Sequence, residues 1–563
     1  MKLTGAQIVC RLLERQGITT LSGIPGGANL PLYDALHESR IVHVLARHEQ
    51  GAGFIAQGMA RVTGRAAVCL GTSGPGATNL VTAIADAKLD SIPLVAITGQ
   101  VPRALLGTDA FQEVDTFAMT LPITKHNFMV METRDLLTVI PRAFEIAESG
   151  RPGPVVVDIP KDVLTGVVEV EEWPEPGRGT PLQTCDEGAI ARLAEMIGAA
   201  ERPVFYIGGG VIASNAGTEV LALAERIGAP IASTLMALGA VPARHPASLG
   251  MLGMHAARST NMILDEADLL IAVGARFDDR ATGKAAEFCK HALIAHIDID
   301  PSEIGKIKPA NLAINADAGV ALKALLRYFP ASYTQRRTAW MERVAELKAR
   351  YPLQMQGAGA FHPLEFCRLL GELLPDDAII TTDVGQHQMW MAQGYPFRQA
   401  RTWLTSGGLG TMGFGLPAAI GAALAEPGRR VVCVSGDGSI LMNIQELVTL
   451  TELNLNVTTI VLNNAHLGMV RQQQELFYGG RYSQSRFHAQ PDLAAAARAF
   501  GVRGYRVDSD AGRECVEQVL RQALAEPGPS LVDLEIHEHE MVYPMVPPGA
   551  ANREMICQQT LIR

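Results

Sequence analysis

Apolar residues fall along this chain in short continuous runs, separated by longer stretches in which they recur with helical spacing. Runs at 67–70, 94–98, 155–159, 204–207, 269–273, 294–299, 379–382, 431–435, 458–462 and 531–536 are mostly β-branched and lack strict apolar–polar alternation. Strands of that kind belong in parallel sheets covered on both faces. Gly or Asp often follows directly, at the strand end where α/β folds place ligand loops. The pattern predicts an α/β protein built from parallel sheets.

Two stretches break the rhythm. Residues 171–179 are rich in Pro, Gly and Glu, and 351–362 follow a charged helical stretch at 336–350. They divide the chain into units at about 1–165, 185–345 and 360–540, with a tail at 541–563. Several units are expected, since 563 residues exceed what one core holds. The longest uncharged run, 402–425, contains Ser406, four glycines between 407 and 413, and Pro417. It reads as a turn entering a buried helix rather than a membrane span.

Composition narrows the partners. Hydrophobic residues make up 48% and charged residues 19%, a globular balance. The net charge of −10, with no block of Lys or Arg, argues against nucleic acid and anionic membrane as partners. Residues 1–15 lack an apolar signal core with a cleavage site, and the eight cysteines are scattered without a C-x-x-C pair. Free thiols of a reducing compartment, the cytoplasm, are expected.

Three motifs carry chemistry. Residues 430–439 read as a strand ending in the acidic turn Gly436-Asp437-Gly438, and 27 residues after Asp437 a second strand has ended in Asn463-Asn464. Adjacent strand ends can offer one carboxylate and one amide oxygen to a hard cation such as Mg²⁺, with phosphate and water completing its shell. The glycines let backbone N–H groups approach a diphosphate. Either half alone is ordinary turn chemistry; the pair, each after a strand, is far more specific. In the first unit, Glu49 sits where a strand at 42–46 meets a helix, which suits a cap acid stabilised by the helix dipole. Gly71-Thr-Ser-Gly-Pro-Gly-Ala-Thr-Asn79 is a glycine turn feeding a helix at 77–87.

The Asp437…Asn464 pairing resembles the metal–diphosphate motif of thiamine-diphosphate (thiamine pyrophosphate) enzymes, and His48-Glu49-Gln-Gly-Ala52 resembles the segment carrying their activating glutamate. An ordered series of further segments resembles the acetohydroxyacid synthase branch of that family over essentially the whole chain. It runs from Gly23-Ile-Pro-Gly-Gly27 through Leu89-Asp-Ser-Ile-Pro93, Gly107-Thr-Asp-Ala-Phe-Gln-Glu-Val-Asp115, Gly150-Arg-Pro-Gly-Pro154, Gly250-Met-Leu-Gly-Met-His255 and Gly274-Ala-Arg-Phe-Asp-Asp-Arg280. Val384-Gly-Gln-His-Gln-Met-Trp390 and the tail Val542-Tyr-Pro-Met-Val-Pro-Pro-Gly-Ala550 complete it.

The resemblance implies three α/β domains: pyrimidine-binding (1–165), central FAD-binding (185–345) and diphosphate-binding (360–540). It implies carboligation, in which pyruvate loses CO₂ and the remaining unit joins a second 2-oxo acid, the first common step of branched-chain amino-acid synthesis. Glu49 would then bind N1′ of the cofactor's aminopyrimidine, away from bulk water. Asp437, Asn464 and the backbone carbonyl of His466 match the metal ligands. Pro75, Asn79, Gln112, Val384, Gly385, Gln386, His387, Gly410, Met412, Gly438, Ser439, Gly468 and Met469 match positions lining thiamine diphosphate. FAD rests on the resemblance alone, through Arg151, Gly208, Gly209, Gly210, Thr234, Leu235, Met254, His255, Gly274, Arg276, Asp278, Arg280, Asp298, Ile299 and Asp317, since the middle unit has no G-x-G-x-x-G. Arg280 resembles the arginine proposed to receive the second substrate's carboxylate, and a surface charge or a flavin contact fits it equally.

The family works as dimers or tetramers with the site between chains, commonly with a small regulatory subunit. One departure stands out: where many members have tryptophan in G-M-V-x-Q-W-Q, this chain reads Gly468-Met-Val-Arg-Gln-Gln-Gln474, with Gln473 in its place. That tryptophan is associated with preference for 2-oxobutyrate over pyruvate as second substrate. Pyruvate oxidase, a flavin-containing relative, lacks the Arg276-Phe-Asp-Asp-Arg280 segment, and glyoxylate carboligase lacks the glutamate. An inactive scaffold would have lost Glu49, Asp437 or Asn464, and all three are present.

Overall fold

A computed structural model describes residues 1–333, 337–355, 357 and 359–557. Outside them lie Arg336 at the start of the charged stretch, positions 356 and 358 in the second predicted boundary, and the end of the tail, 558–563.

The chain folds into three six-stranded sheets, each parallel throughout. The first runs, in spatial order, Val42–Leu45, Thr20–Gly23, Ala67–Gly71, Leu94–Gln100, Pro154–Pro160 and His126–Met129. The second runs Ser248–Met251, Ile231–Ser233, Pro203–Ile207, Leu269–Val273, Leu293–Asp298 and Leu312–Asn315. The third runs Trp403–Leu404, Ile379–Thr382, Val431–Gly436, Val457–Asn463, Ser530–Glu535 and Arg503–Val507. An antiparallel pair, Lys2–Thr4 with Val167–Glu169, closes the first unit at its ends.

The strands predicted from continuous apolar runs are central ones, buried at nearly every position because helices cover both faces, whereas the strand predicted at 42–46 is the edge strand Val42–Leu45. The strands the hydrophobic pattern misses are mostly at the edges. Leu312–Asn315 alternates buried and exposed residues, and Arg503–Val507 is fully buried only at Val507. The uncharged run at 402–425 forms the short edge strand Trp403–Leu404, a glycine-rich turn, and the buried helix Gly415–Ala425. Among the described residues no helix is long and apolar enough to cross a membrane.

The first and third units share one core. Helix Glu49–Thr63 is buried on nearly all sides, as is helix Gly415–Ala425, and the two pack against each other between their sheets. Glycine sets how closely they approach. A Cβ on Gly58 would lie 2.2 Å from the Ala418 carbonyl oxygen, and one on Gly421 only 1.9 Å from that of Ile55. The middle unit is tied on by arginines. Arg151 reaches Asp300 at 3.2 Å and Glu303 at 2.8 Å, and Arg401 donates to the carbonyls of Arg61 and Ile212, each at 3.2 Å.

One buried acid holds the base of the loop that carries Gln112. Asp158, on the central strand Pro154–Pro160, accepts from Thr98 Oγ1 at 2.6 Å and from Gln100 Nε2 at 3.0 Å. Gln100 Nε2 also donates to the Val114 carbonyl at 2.8 Å, next to the loop that carries Gln112. Burial pushes the Asp158 carboxyl up to about 7, with Thr98 and Gln100 pulling the other way.

Two predictions follow from this packing. Gly421→Ala forces a methyl against backbone that cannot rotate away, and overpacking of this kind costs about 1–3 kcal/mol. Calorimetry should show a clearly lower Tm; an unchanged Tm would mean that the helices can separate without penalty. Asp158 holds its proton to about pH 7 when folded but releases it near 3.8 when unfolded, so folding takes up a proton between those values. Its stabilising contribution is complete below pH 3.8 and lost as pH rises through 7. From pH 5 to 8, Tm should therefore fall more steeply in the parent protein than in Asp158→Asn. Parallel slopes would count against the assignment.

Candidate active site

The third sheet builds the floor of the site through its register. Strands Val431–Gly436 and Val457–Asn463 are neighbours, with Gly436 opposite Leu462, so Asp437 and Asn463-Asn464 emerge at the same edge. The two asparagines then take different tasks. Asn463 is structural, donating to Asp533 at 3.0 Å and accepting from the Ala465 N–H at 3.1 Å. Asn464 lines the cavity, its Nδ2 donating to Gln386 at 3.0 Å. His466 turns its ring back onto the Asn464 carbonyl, Nδ1 to O at 2.7 Å. Its pairing with Arg486 runs through Leu467 N–H to Ser485 and Phe487 N–H to Ala465, so the His466 carbonyl is not an acceptor there. Asp437 is 2% exposed, and burial raises its carboxyl to about 6, eased by a hydrogen bond from Gln490. A carboxylate, an amide oxygen and a backbone carbonyl are the hard oxygen donors that Mg²⁺ takes.

These groups open into one cavity of about 1160 Å³ that continues into the middle unit. Its third-unit side contains Val384, Gly385, Gln386, His387, Gly410, Met412, Asp437, Gly438, Ser439, Asn464, His466, Gly468 and Met469. Its middle-unit side contains Gly208, Gly209, Gly210, Thr234, Leu235, Met254, His255, Gly274, Arg276, Asp278, Arg280, Asp298, Ile299 and Asp317, with Arg151 from the first unit. Among the described residues, four of the cavity's lining carry a buried polar atom without a hydrogen-bond partner: Arg61 Nε, Thr234 Oγ1, His387 Nε2 and Trp390 Nε1. Burial lowers the His387 ring to about 3, so it is a neutral imidazole. Buried polar atoms of this kind call for a partner, and the cavity is where a ligand would supply one.

Some predicted contacts have structural work of their own. Gly208 and Gly210 pack against Gly274: a Cβ on Gly208 would lie 2.1 Å from the Gly274 carbonyl oxygen, and Gly274 has φ of +57°. Gly209, by contrast, has only the Met236 Cβ near its open side, at 3.5 Å. Asp278 caps helix Asp279–Thr282, and Asp317 caps Ala318–Leu326 while accepting from Ser214 at 2.7 Å. The Arg280 side chain is 68% exposed at the cavity mouth, paired with Asp279 at 3.9 Å and donating to the Met254 sulfur at 3.8 Å. Gln473 lies on the cavity wall.

Four predicted residues stand apart from this cavity. Glu49, Pro75, Asn79 and Gln112 are not among its lining and form a cluster of their own in the first unit. Glu49 is the first residue of its helix, yet the capping acceptor is the His48 ring. The Glu49 carboxylate, 8% exposed, instead accepts from Asn79 Nδ2 at 2.9 Å. Gly76 lies beside it, where a Cβ would be 3.5 Å from Glu49 Oε1. Gln112 adopts φ of +59°, and its backbone leaves room for no Cβ on Gly74.

Hydrophobic patterning gave no sign of several residues that shape the site. Glu446, fully buried, accepts from the Arg47 N–H at 2.8 Å and from Thr449, holding the approach to helix Glu49–Thr63 from the third unit. Arg61, Asp86 and Asp90 form a buried ionic group on the first-unit side of the same boundary. Acidic and basic residues at helical spacing read as surface in a sequence; only the missing solvent reveals them.

Three parallel-sheet units, a hard-oxygen donor set at adjacent strand ends and a glycine-rich wall beside it define a diphosphate-cofactor enzyme. Family models agree on the class. A thiamine pyrophosphate enzyme N-terminal TPP binding domain matches residues 3–119, the central domain 190–325, and the C-terminal TPP binding domain 383–534. The chain belongs to the thiamine pyrophosphate enzymes, and within them to the acetolactate synthase large-subunit family. It is 54% identical to the acetolactate synthase isozyme 1 large subunit of Escherichia coli, over 99% of this chain and 98% of that one. It is 45% identical to the isozyme 2 large subunit of the same organism, over 98% and 99%. With acetolactate synthase 2, chloroplastic, of Nicotiana tabacum it shares 44%, over 98% of this chain and 85% of that protein.

Proposed function

We propose that the protein is the catalytic chain of an acetolactate synthase, which decarboxylates pyruvate and joins the remaining two-carbon unit to a second 2-oxo acid. The products would be 2-acetolactate from pyruvate and 2-aceto-2-hydroxybutyrate from 2-oxobutyrate, the common entry to valine, leucine and isoleucine. What carries the reading is the meeting of Asp437, Asn464 and the unpartnered His387 Nε2 on one cavity wall, in a chain so similar to acetolactate synthase large subunits.

Thiamine diphosphate, when bound, supplies the electron sink that lets a 2-oxo acid lose CO₂. The chain's residues would do the rest. Asp437, Asn464 and the His466 carbonyl would hold Mg²⁺, and the glycines at 385, 410, 438 and 468 would leave room for the cofactor beside His387. Glu49 would hold a proton at the aminopyrimidine N1′, screened from water and oriented by Asn79. Arg280, exposed at the cavity mouth, would receive the second substrate's carboxylate, and Gln112 would contact cofactor and substrate. FAD would lie along the middle-unit wall, near Gly209 and the unpartnered Thr234 Oγ1. The overall reaction moves no net electrons, so FAD would be structural or vestigial. The division into pyrimidine-binding, FAD-binding and diphosphate-binding domains at 1–165, 185–345 and 360–540 follows from these assignments.

Glu49 and its neighbours do not line their own chain's cavity, which supports a homodimer or tetramer in which one chain lends Glu49 to another's site. Phe111, next to Gln112 and 88% exposed, is an apolar surface suited to such a contact. Relatives named large subunits support a separate small regulatory partner. A cytoplasmic location fits the buried thiols Cys10, Cys69, Cys289, Cys367 and Cys433.

Turnover of pyruvate with Mg²⁺, thiamine diphosphate and FAD should yield acetolactate without peroxide; acetyl phosphate with peroxide would instead make the protein an oxidase. Glu49→Gln should lower kcat by about 10²–10⁴-fold with an unchanged circular dichroism spectrum, and an unimpaired variant would remove Glu49 from its role. In competition assays the parent enzyme should favour 2-oxobutyrate only weakly. Gln473→Trp should raise that preference within the ~10–200-fold that one methylene can supply. A strong preference in the parent would show that Gln473 is not what sets it.

A further inference from the structure

A buried ionic group links the first unit to the turn that carries Gly410 and Met412. Arg61, near the end of helix Glu49–Thr63, donates through NH2 to Asp86 Oδ1 at 3.1 Å and to Asp90 Oδ2 at 2.9 Å, both acids on helix Pro75–Asp90. The same arginine donates through NH1 to the Thr405 carbonyl at 3.0 Å and lies over the Phe414 ring at 4.8 Å. The Asp86 and Asp90 side chains are fully buried, and that of Arg61 is 5% exposed.

One guanidinium cannot balance two carboxylates, and the turn supplies the rest. Asp86 Oδ2 accepts from the hydroxyls of Ser406 and Thr411, the latter at 2.9 Å. Asp90 accepts from the Gly407 N–H at 3.0 Å and the Gly408 N–H at 2.7 Å. Ser406 Oγ in turn accepts from the Thr411 N–H at 2.8 Å, closing the turn on itself. The buried charge needs these donors, because an uncompensated carboxylate away from water is costly. The donors converge only when residues 405–411 take this one conformation. From the other side, Gln388 holds Thr405 Oγ1 at 2.8 Å and the Ser406 carbonyl at 3.0 Å, from the helix that begins with Gln386 and His387. Burial and the neighbouring Asp90 raise the Asp86 carboxyl to about 6, with Arg61 pulling it back, as expected of an acid that depends on its donors.

We propose that Asp86 and Asp90, with Arg61, are positioning residues of the active site: they select the conformation of the 405–411 turn and so place Gly410 and Met412 at the cofactor-facing wall. The role rests on the reading of the cavity as the thiamine-diphosphate site. Arg61 and Asp90 belong to the lining of the same cavity and Asp86 does not; each is assigned to act through the turn.

The test uses the full-length enzyme with Asp86→Asn and Ser406→Ala, each checked for the parent's circular dichroism spectrum. Hydrogen exchange of the amides in 405–412 is measured without cofactor, and thiamine-diphosphate affinity and kcat with it. The expected result is exchange faster by about ten-fold in that segment, and cofactor affinity or kcat lower by about ten-fold or more, the scale of one lost charged hydrogen bond. Asp90→Glu, which keeps the charge, should recover more of the affinity and kcat than Asp90→Asn. Unchanged exchange in 405–412, or faster exchange with unchanged affinity and kcat, overturns the proposal. If Asp86→Asn does not fold, Ser406→Ala and Thr411→Val decide the matter by the same two readouts. A parent enzyme that binds no thiamine diphosphate would refute the cofactor reading instead, and the exchange measurement would still decide whether the acids hold the turn.

Discussion

The contact between helices Glu49–Thr63 and Gly415–Ala425 is the constraint on which the rest of the structure depends. Gly58 and Gly421 let the backbones meet carbonyl to Cα, at distances where any Cβ would strike backbone. Both helices are surrounded by core, so neither can slide without opening a cavity or forcing an overlap. That contact fixes the first sheet against the third. It also fixes both ends of the first helix: Glu49 stands at its start and Arg61 near its end. At 1.5 Å per residue, these two groups are about 18 Å apart on one rigid rod.

From that rod the site is assembled by neutralising buried charge and pairing buried polar atoms. Arg61 gathers Asp86 and Asp90, and those acids gather the donors of the 405–411 turn. Glu446 reaches back from the third unit to the Arg47 N–H at the other end of the helix. Asp158 holds Gln100, and through it the base of the loop bearing Gln112. His387 Nε2 and Thr234 Oγ1, both on residues of the cavity lining, are among the buried polar atoms that stay unpaired. Glu49 is the exception in place: it is held by Asn79 in the first unit and is not among the lining of the cavity that Asp437 lines.

Much of the architecture was legible from residue order. Central strands of parallel sheets are covered on both faces, so 94–98, 431–435 or 458–462 announce themselves as unbroken β-branched runs. Edge strands such as Leu312–Asn315 and Arg503–Val507 are half exposed, and their mixed composition hides them. The Asp437 and Asn463-Asn464 turns were legible too, because each is an acid or amide set directly after a continuous β-branched run. Which asparagine faces the cavity was set by family resemblance rather than by any local signal, and the structure shows the reason in the bond from Asn463 to Asp533.

The sequence by itself determined the fold class, the separation into three sheets, and the residue types available for a cation, a diphosphate and an acid–base group. These depend on local pattern, which a strand end or a glycine turn carries within a few residues. Only the tertiary structure decided that Gly208 and Gly210 serve Gly274, that Glu49 accepts from Asn79 while His48 caps its helix, and that Arg61, Asp86 and Asp90 are buried rather than solvated. Apart from the local His48 cap, each of those facts depends on partners 25 or more positions away. A charge on a helix has the same one-letter code in water and in the core, and only the packing around it says which medium it occupies.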